Sequence, residues 1–136
     1  MASVDPNFKA SIFNYNQPLV IATNRNSAFI YGVRLRYQSG GYAAGTVLAE
    51  NTTDLRYQAY NDSGSSGINT AKAILFQAYA AEDFDGTAST SSTLAVAIFG
   101  GCSVFKDNLT GYDANALTDL GGKLITLADS TVLLKF

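Results

Sequence analysis

The chain has no histidine and no tryptophan, one cysteine and two prolines, and only 15% of its 136 residues are charged. Each shortage removes a class of function. Without imidazole, neither a Ser-His-Asp nor a Cys-His nucleophile system can be assembled from this chain, and a zinc site built on histidine is excluded too. The lone Cys102 leaves no internal disulfide and no cysteine metal cage. It stands between Gly101 and Ser103 with no adjacent base to activate it, and reads as a small buried apolar residue. A net charge of −2 with no arginine-rich run lacks the electrostatic footprint of nucleic-acid binding. No apolar run approaches the ~20 residues that cross a bilayer. Residues Met1 to Asn7 lack the basic start and apolar block of a secretory signal, so synthesis in a cytoplasm without secretion is expected.

What is present points to a single mainly β domain. Apolar residues make up 47% of the chain, including eight tyrosines and eight phenylalanines, enough for one packed core at this length. The low charge is unusual for a lone soluble monomer. It suits either a protein that hides surface in an assembly or one covered in Ser, Thr and Asn, and composition does not choose between them.

The segment Gly40-Gly41-Tyr42-Ala43-Ala44-Gly45-Thr46-Val47-Leu48-Ala49-Glu50 organises the rest. Its glycines can take backbone angles closed to other residues, which places a sharp bend just before a β-branched run. Upstream, Phe29 to Tyr37 alternates: Phe29, Tyr31, Val33, Leu35 and Tyr37 on one face, Arg34 and Arg36 on the other, facing solvent or a partner. Downstream, strands are expected over Thr46–Ala49, Leu55–Tyr60, within Asn69–Tyr79, over Leu94–Phe99 and over Thr131–Phe136. The continuous run Ile74-Leu75-Phe76 suggests burial on both faces. In Leu94–Phe99 the large residues Leu94, Val96 and Ile98 are expected to face the core, leaving Ala95 and Ala97 with Phe99 on the other side; after Gly100-Gly101 the strand is expected to resume over Ser103–Lys106 past a bulge. One short helix is expected near the C-terminus, over Tyr112–Gly121, with Asp113 as N-cap and Gly121 as stop.

Residues 1–28 are expected to form an N-terminal arm and lead-in strand, and residues 29–136 the β-rich domain. In the arm, asparagines separate isolated apolar anchors, Phe8, Ile12, Phe13 and Tyr15, without strand periodicity. Pro18 restricts the following Leu19-Val20-Ile21-Ala22-Thr23 to an edge strand or a strand start. The arm either orders on a partner surface or simply forms the first strand of the domain. If it binds, each buried anchor contributes ~1.5–3 kcal/mol, while ordering the backbone costs ~1–2 kcal/mol per residue. One arm is therefore a marginal binder, and several arms on one oligomer bind tightly by converting later contacts into intramolecular ones.

Little here points to catalysis. Glu82, Asp83 and Asp85 with Gly86 lack the full ligand set and terminal glutamate of a calcium loop. Paired carboxylates could hydrolyse glycosides if held ~5–9.5 Å apart, but these lie in one polar loop with no aromatic cleft signal. Gly64-Ser65-Ser66-Gly67 lacks the lysine of a phosphate loop. The glycosylation patterns at Asn51, Asn61 and Asn108 are chance matches in an Asn/Thr-rich chain. No catalytic residue, metal or cofactor is expected.

Taken in order, Arg34-Leu35-Arg36-Tyr37-Gln38-Ser39-Gly40, Ala43-Ala44-Gly45-Thr46-Val47-Leu48, Leu55 to Tyr60, Lys72-Ala73-Ile74-Leu75-Phe76 and Leu94 to Gly100 resemble the successive segments of lambda-type bacteriophage head decoration proteins. The resemblance runs from about Phe29 to Leu120. It implies a small β-tulip or β-clip fold, assembled as a homotrimer on the outside of the virion at three-fold positions of the expanded head. It implies the major capsid protein as partner, bound through the arm at Phe8, Ile12, Phe13 and Tyr15, and no nucleic acid, membrane or small-molecule substrate. The role implied is mechanical: clamping capsid subunits against the pressure of packaged DNA. The alternative is a carbohydrate- or receptor-binding β module on a virion or cell surface, using exposed tyrosines such as Tyr57 and Tyr60.

Overall fold

The computed structural model describes residues 20–23, 28–121, 123–126 and 132–135. Nine strands and one α-helix are described, with single 3-10 turns at Ala81–Asp83 and Lys106–Asn108: β1 (Ile21–Thr23), β2 (Ile30–Arg36), β3 (Val47–Glu50), β4 (Tyr57–Ala59), β5 (Ala73–Leu75), β6 (Ser92–Ile98), β7 (Ser103–Phe105), α1 (Ala114–Asp119), β8 (Lys123–Thr126) and β9 (Val132–Lys135). They form two sheets. Strands β2-β4-β3-β5-β6 close into a barrel, and β1-β7-β9-β8 make a four-stranded sheet. Among the described residues the fold is thus mainly β, with one short α-helix toward the C-terminal end, as expected.

The barrel is held by the long antiparallel ladder of β2 with β6, from Ile30 opposite Ile98 to Arg36 opposite Ser92. Only the β2–β4 seam is parallel. Five strands enclose a narrow bore, and its filling follows from that. Large inward residues meet alanines across the ladders: Val33 opposite Ala95, Leu48 opposite Ala59 and Ala73, and Leu75 opposite Ala97. Two large side chains at each level would not fit, and two alanines would leave a void.

This pairing corrects the expected orientation of β6. Ala95 and Ala97 face the core and are fully buried, whereas Leu94 is 74% exposed. On the outer face, burial rises along the strand from Leu94 through half-buried Val96 to fully buried Ile98. Only the Ile98 end is covered, by a second apolar cluster that includes Val20, Ile21, Ile74 and Val104 between the barrel and the four-stranded sheet. Residue size alone did not indicate the inward face, because a tight bore selects small residues on one of each facing pair.

Other departures are local. Leu55 is not in a strand: its φ is +61° and its side chain is 65% exposed, so β4 starts two residues later, at Tyr57. The segment after Gly100-Gly101 does not continue β6 past a bulge. It becomes β7, which pairs with β1 and β9 in the other sheet. Strand β9 lies centrally in that sheet, between β7 and β8, which seats the C-terminal segment inside the hydrogen-bonded framework.

Several expectations hold in detail. Of the run Ile74-Leu75-Phe76, Ile74 and Leu75 are fully buried, because β5 has the bore on one side and the second cluster on the other, whereas Phe76, just past the strand, is only half-buried against that cluster. Asp113 caps α1, accepting a 2.7 Å hydrogen bond from the Ala116 N–H. The helix is short and depends on packing: Ala116 joins Val47, Ala49 and Tyr60 in a third cluster on the outside of β3, with Leu120 against it.

Candidate functional site

The residues expected to bind a capsid, Phe8, Ile12, Phe13 and Tyr15, lie outside the described residues. The chain enters the described structure at Val20, which is buried with Ile21 in the second cluster. Among the described strands, β1 lies at an edge of its sheet and pairs with β7 alone, in line with the edge position that Pro18 allows.

The acidic loop is committed to structure. Asp83 Oδ2 accepts the Ala80 N–H at 2.8 Å, and Asp85 Oδ1 accepts the Ser92 N–H at 3.0 Å. These carboxylates fasten a turn to the start of β6. Among the described residues, no group of three or more His, Cys, Asp or Glu could hold a metal ion. Cys102 is buried, and burial pushes its thiol above the ordinary range, away from the reactive thiolate. Among the described residues, no helix is long and apolar enough to cross a membrane.

The two tyrosines expected to be exposed are not. Tyr57 is half-buried and stacks edge-on against Phe99 at 5.9 Å. Tyr60 is buried in the third cluster, and its hydroxyl lies 3.1 Å from both Asp62 Oδ1 and Asp113 Oδ1. A phenol has one proton, so it donates to one carboxylate at a time. Burial, then these two carboxylates, push its ionisation well above the ordinary range.

Beside Tyr60 the structure opens a recess that no local pattern announced. The parallel β2–β4 ladder registers at a single pair, Leu35 with Tyr57. Beyond it the two segments flank a concavity of about 420 Å³, walled by Arg36, Tyr37 and Gln38 on one side and by Gln58 and Asn61 on the other. Tyr42 also lines it, and its hydroxyl donates to the Arg36 carbonyl oxygen at 2.7 Å. Arg36 Nε donates to the Ser89 carbonyl at 3.1 Å, and Nη1 donates to Gln58 Oε1 at 3.2 Å. Gln38 Nε2 donates to the Gly41 carbonyl at 2.8 Å. Arg56, by contrast, has a carboxylate of its own, with Asp54 Oδ2 at 2.8 Å. Burial is the largest single influence on Asp54 and opposes its ionisation, but the Arg56 backbone N–H and guanidinium, with the Arg36 charge, together outweigh it and hold the carboxyl below its usual range.

Tyr42 yields a pH prediction. Burial raises its ionisation to about 12, with the Arg36 charge opposing. The unfolded chain loses this proton near the ordinary tyrosine value of about 10. The contribution is therefore fully present below pH ~10 and falls as pH rises toward ~12, by about 2 kcal/mol after allowing for partial solvent screening. Urea unfolding at successive alkaline pH values should show this loss, and Tyr42→Phe should flatten that part of the profile.

Compared with known proteins, the chain matches no family model, no curated protein and no solved structure.

Proposed function

We propose that the chain is a non-enzymatic bacteriophage capsid decoration protein of the lambda type. In this reading it has a β-tulip-like domain and works as a homotrimer on the exterior of the virion. It is made in the host cytoplasm, binds the major capsid protein at the three-fold sites of the expanded head through its N-terminal arm, and resists internal DNA pressure. The observation that carries the reading is that the five segments of the resemblance fall on the five barrel strands, β2, β3, β4, β5 and β6. The low charge and the attachment of the arm to an edge strand support it further. The carbohydrate module built on Tyr57 and Tyr60 loses its basis, since neither ring stands free at the surface.

Two measurements test the proposal. Light scattering should give three times the 14.4 kDa of one chain. A form lacking residues 1–15 should keep its fold and its oligomeric mass, yet fail to co-sediment with expanded heads of the phage that encodes it. A monomer, or a truncated form that decorates heads as well as the full chain, overturns the reading.

A further inference from the structure

We propose that the recess between β2 and β4 binds a carboxylate-bearing sugar unit. The first ground is charge. Arg36 is half-buried and lines the concavity. Its described hydrogen bonds go to neutral acceptors, the Ser89 carbonyl and the Gln58 amide, and no carboxylate makes a salt bridge with it among the described residues. Asp54, whose carboxylate feels the Arg36 charge, makes its ion pair with Arg56 instead. A guanidinium that is partly withdrawn from water without a carboxylate in direct contact is an incomplete pair, and its fork geometry matches a carboxylate.

The second ground is the rest of the wall. It contains no acidic residue and no second cation. A phosphate, with close to two charges, would find one guanidinium and neither a helix N-terminus nor a lysine. Gln38 Nε2, Gln58 Oε1 and Asn61 Oδ1 are engaged within the protein, which leaves Gln38 Oε1 as an acceptor and Gln58 Nε2 and Asn61 Nδ2 as donors toward hydroxyls. Tyr37 supplies an aromatic surface held in place by edge-on contact with Phe84 at 5.6 Å. One carboxylate, several hydroxyls and an apolar ring face describe a uronate-like sugar. The volume is at the small end of the ~300–1,000 Å³ usual for ligand clefts, and so suits a single sugar unit.

Backbone NMR of the full chain tests this with glucuronate, glucose and inorganic phosphate as probes. Glucuronate should produce saturable shifts confined to residues 36–42 and 58–61, and glucose should bind at least about 10-fold more weakly, as expected for loss of one charge-assisted contact. Arg36→Gln should reduce glucuronate binding to the level of glucose. Asn61→Trp, at an exposed position on the rim, should block both sugars; it removes the hydrogen bond from the Ser63 N–H to the Asn61 side chain, so its own spectral changes should stay within the 61–68 turn and the recess. The proposal is overturned by an absence of saturable shifts, by glucose or phosphate binding as tightly as glucuronate, or by undiminished glucuronate binding in folded Arg36→Gln. Should that variant not fold, Asn61→Trp decides alone, and glucuronate binding to it as to the unaltered chain overturns the proposal.

Discussion

Gly45→Ala is expected to destabilise the fold by at least about 4 kcal/mol, and Gly40→Ala by less than about 0.5 kcal/mol. Both glycines belong to the same turn segment, so composition does not separate them. Gly45 has φ of +85°, a conformation that strains any side-chain-bearing residue, and a Cβ there would land on the Asn108 carbonyl oxygen. The backbone cannot easily move aside. The Gly45 N–H donates to the Leu75 carbonyl at 2.8 Å, and the Gly45 carbonyl accepts the Thr110 N–H at 3.0 Å. The turn is pinned to β5 on one side and to the segment before α1 on the other. The positive φ alone costs about 1–2 kcal/mol, and breaking the flanking bonds or displacing the 108–110 segment adds to it. At Gly40 nothing lies within 4 Å of an added Cβ. Urea denaturation of the two variants side by side checks this, and equal midpoints would show that the pinning is not rigid.

How much of the structure could be read from the chain follows the range of the physics involved. The turn over Gly40–Gly45 and the cap at Asp113 were legible because a backbone angle or a side-chain bond three residues away decides them. The strand nature of β2 was legible because alternation is local. The allegiance of β7 was not: Ser103–Phe105 looks like a continuation of β6, and only its partners β1 and β9 place it in another sheet. Strand β8 carried no pattern strong enough to be expected. The recess beside Arg36 was invisible for the same reason, since it exists where the β2–β4 ladder stops, a property of two segments more than twenty residues apart. Tyr60 was misplaced because its burial depends on α1, which packs over it from much further along the chain.

The sharpest case is leucine itself. Leu48→Ala should cost about 3–5 kcal/mol, and the identical change at Leu94 should cost less than about 0.5 kcal/mol. Leu48 is fully buried in the bore and is the large partner of two alanines, Ala59 and Ala73, one on each side. Removing its side chain leaves three alanines abreast. The bore cannot collapse to fill the gap, because the ladders fix the distance between strands, so the cavity penalty adds to the lost burial. Leu94 sits on the outer face against Gly32, with most of its side chain in water. Its truncation opens no cavity. In the reading proposed here, Leu94 is also apolar surface available to a partner, so its replacement should affect association more than folding. Thermal melts of the two variants test the first contrast, and light scattering of Leu94→Ala tests the second. A Leu94 variant that melts as low as Leu48→Ala would mean that the outer face of β6 is covered in the free protein, and that the large-small pairing of the bore is not what distinguishes the two positions.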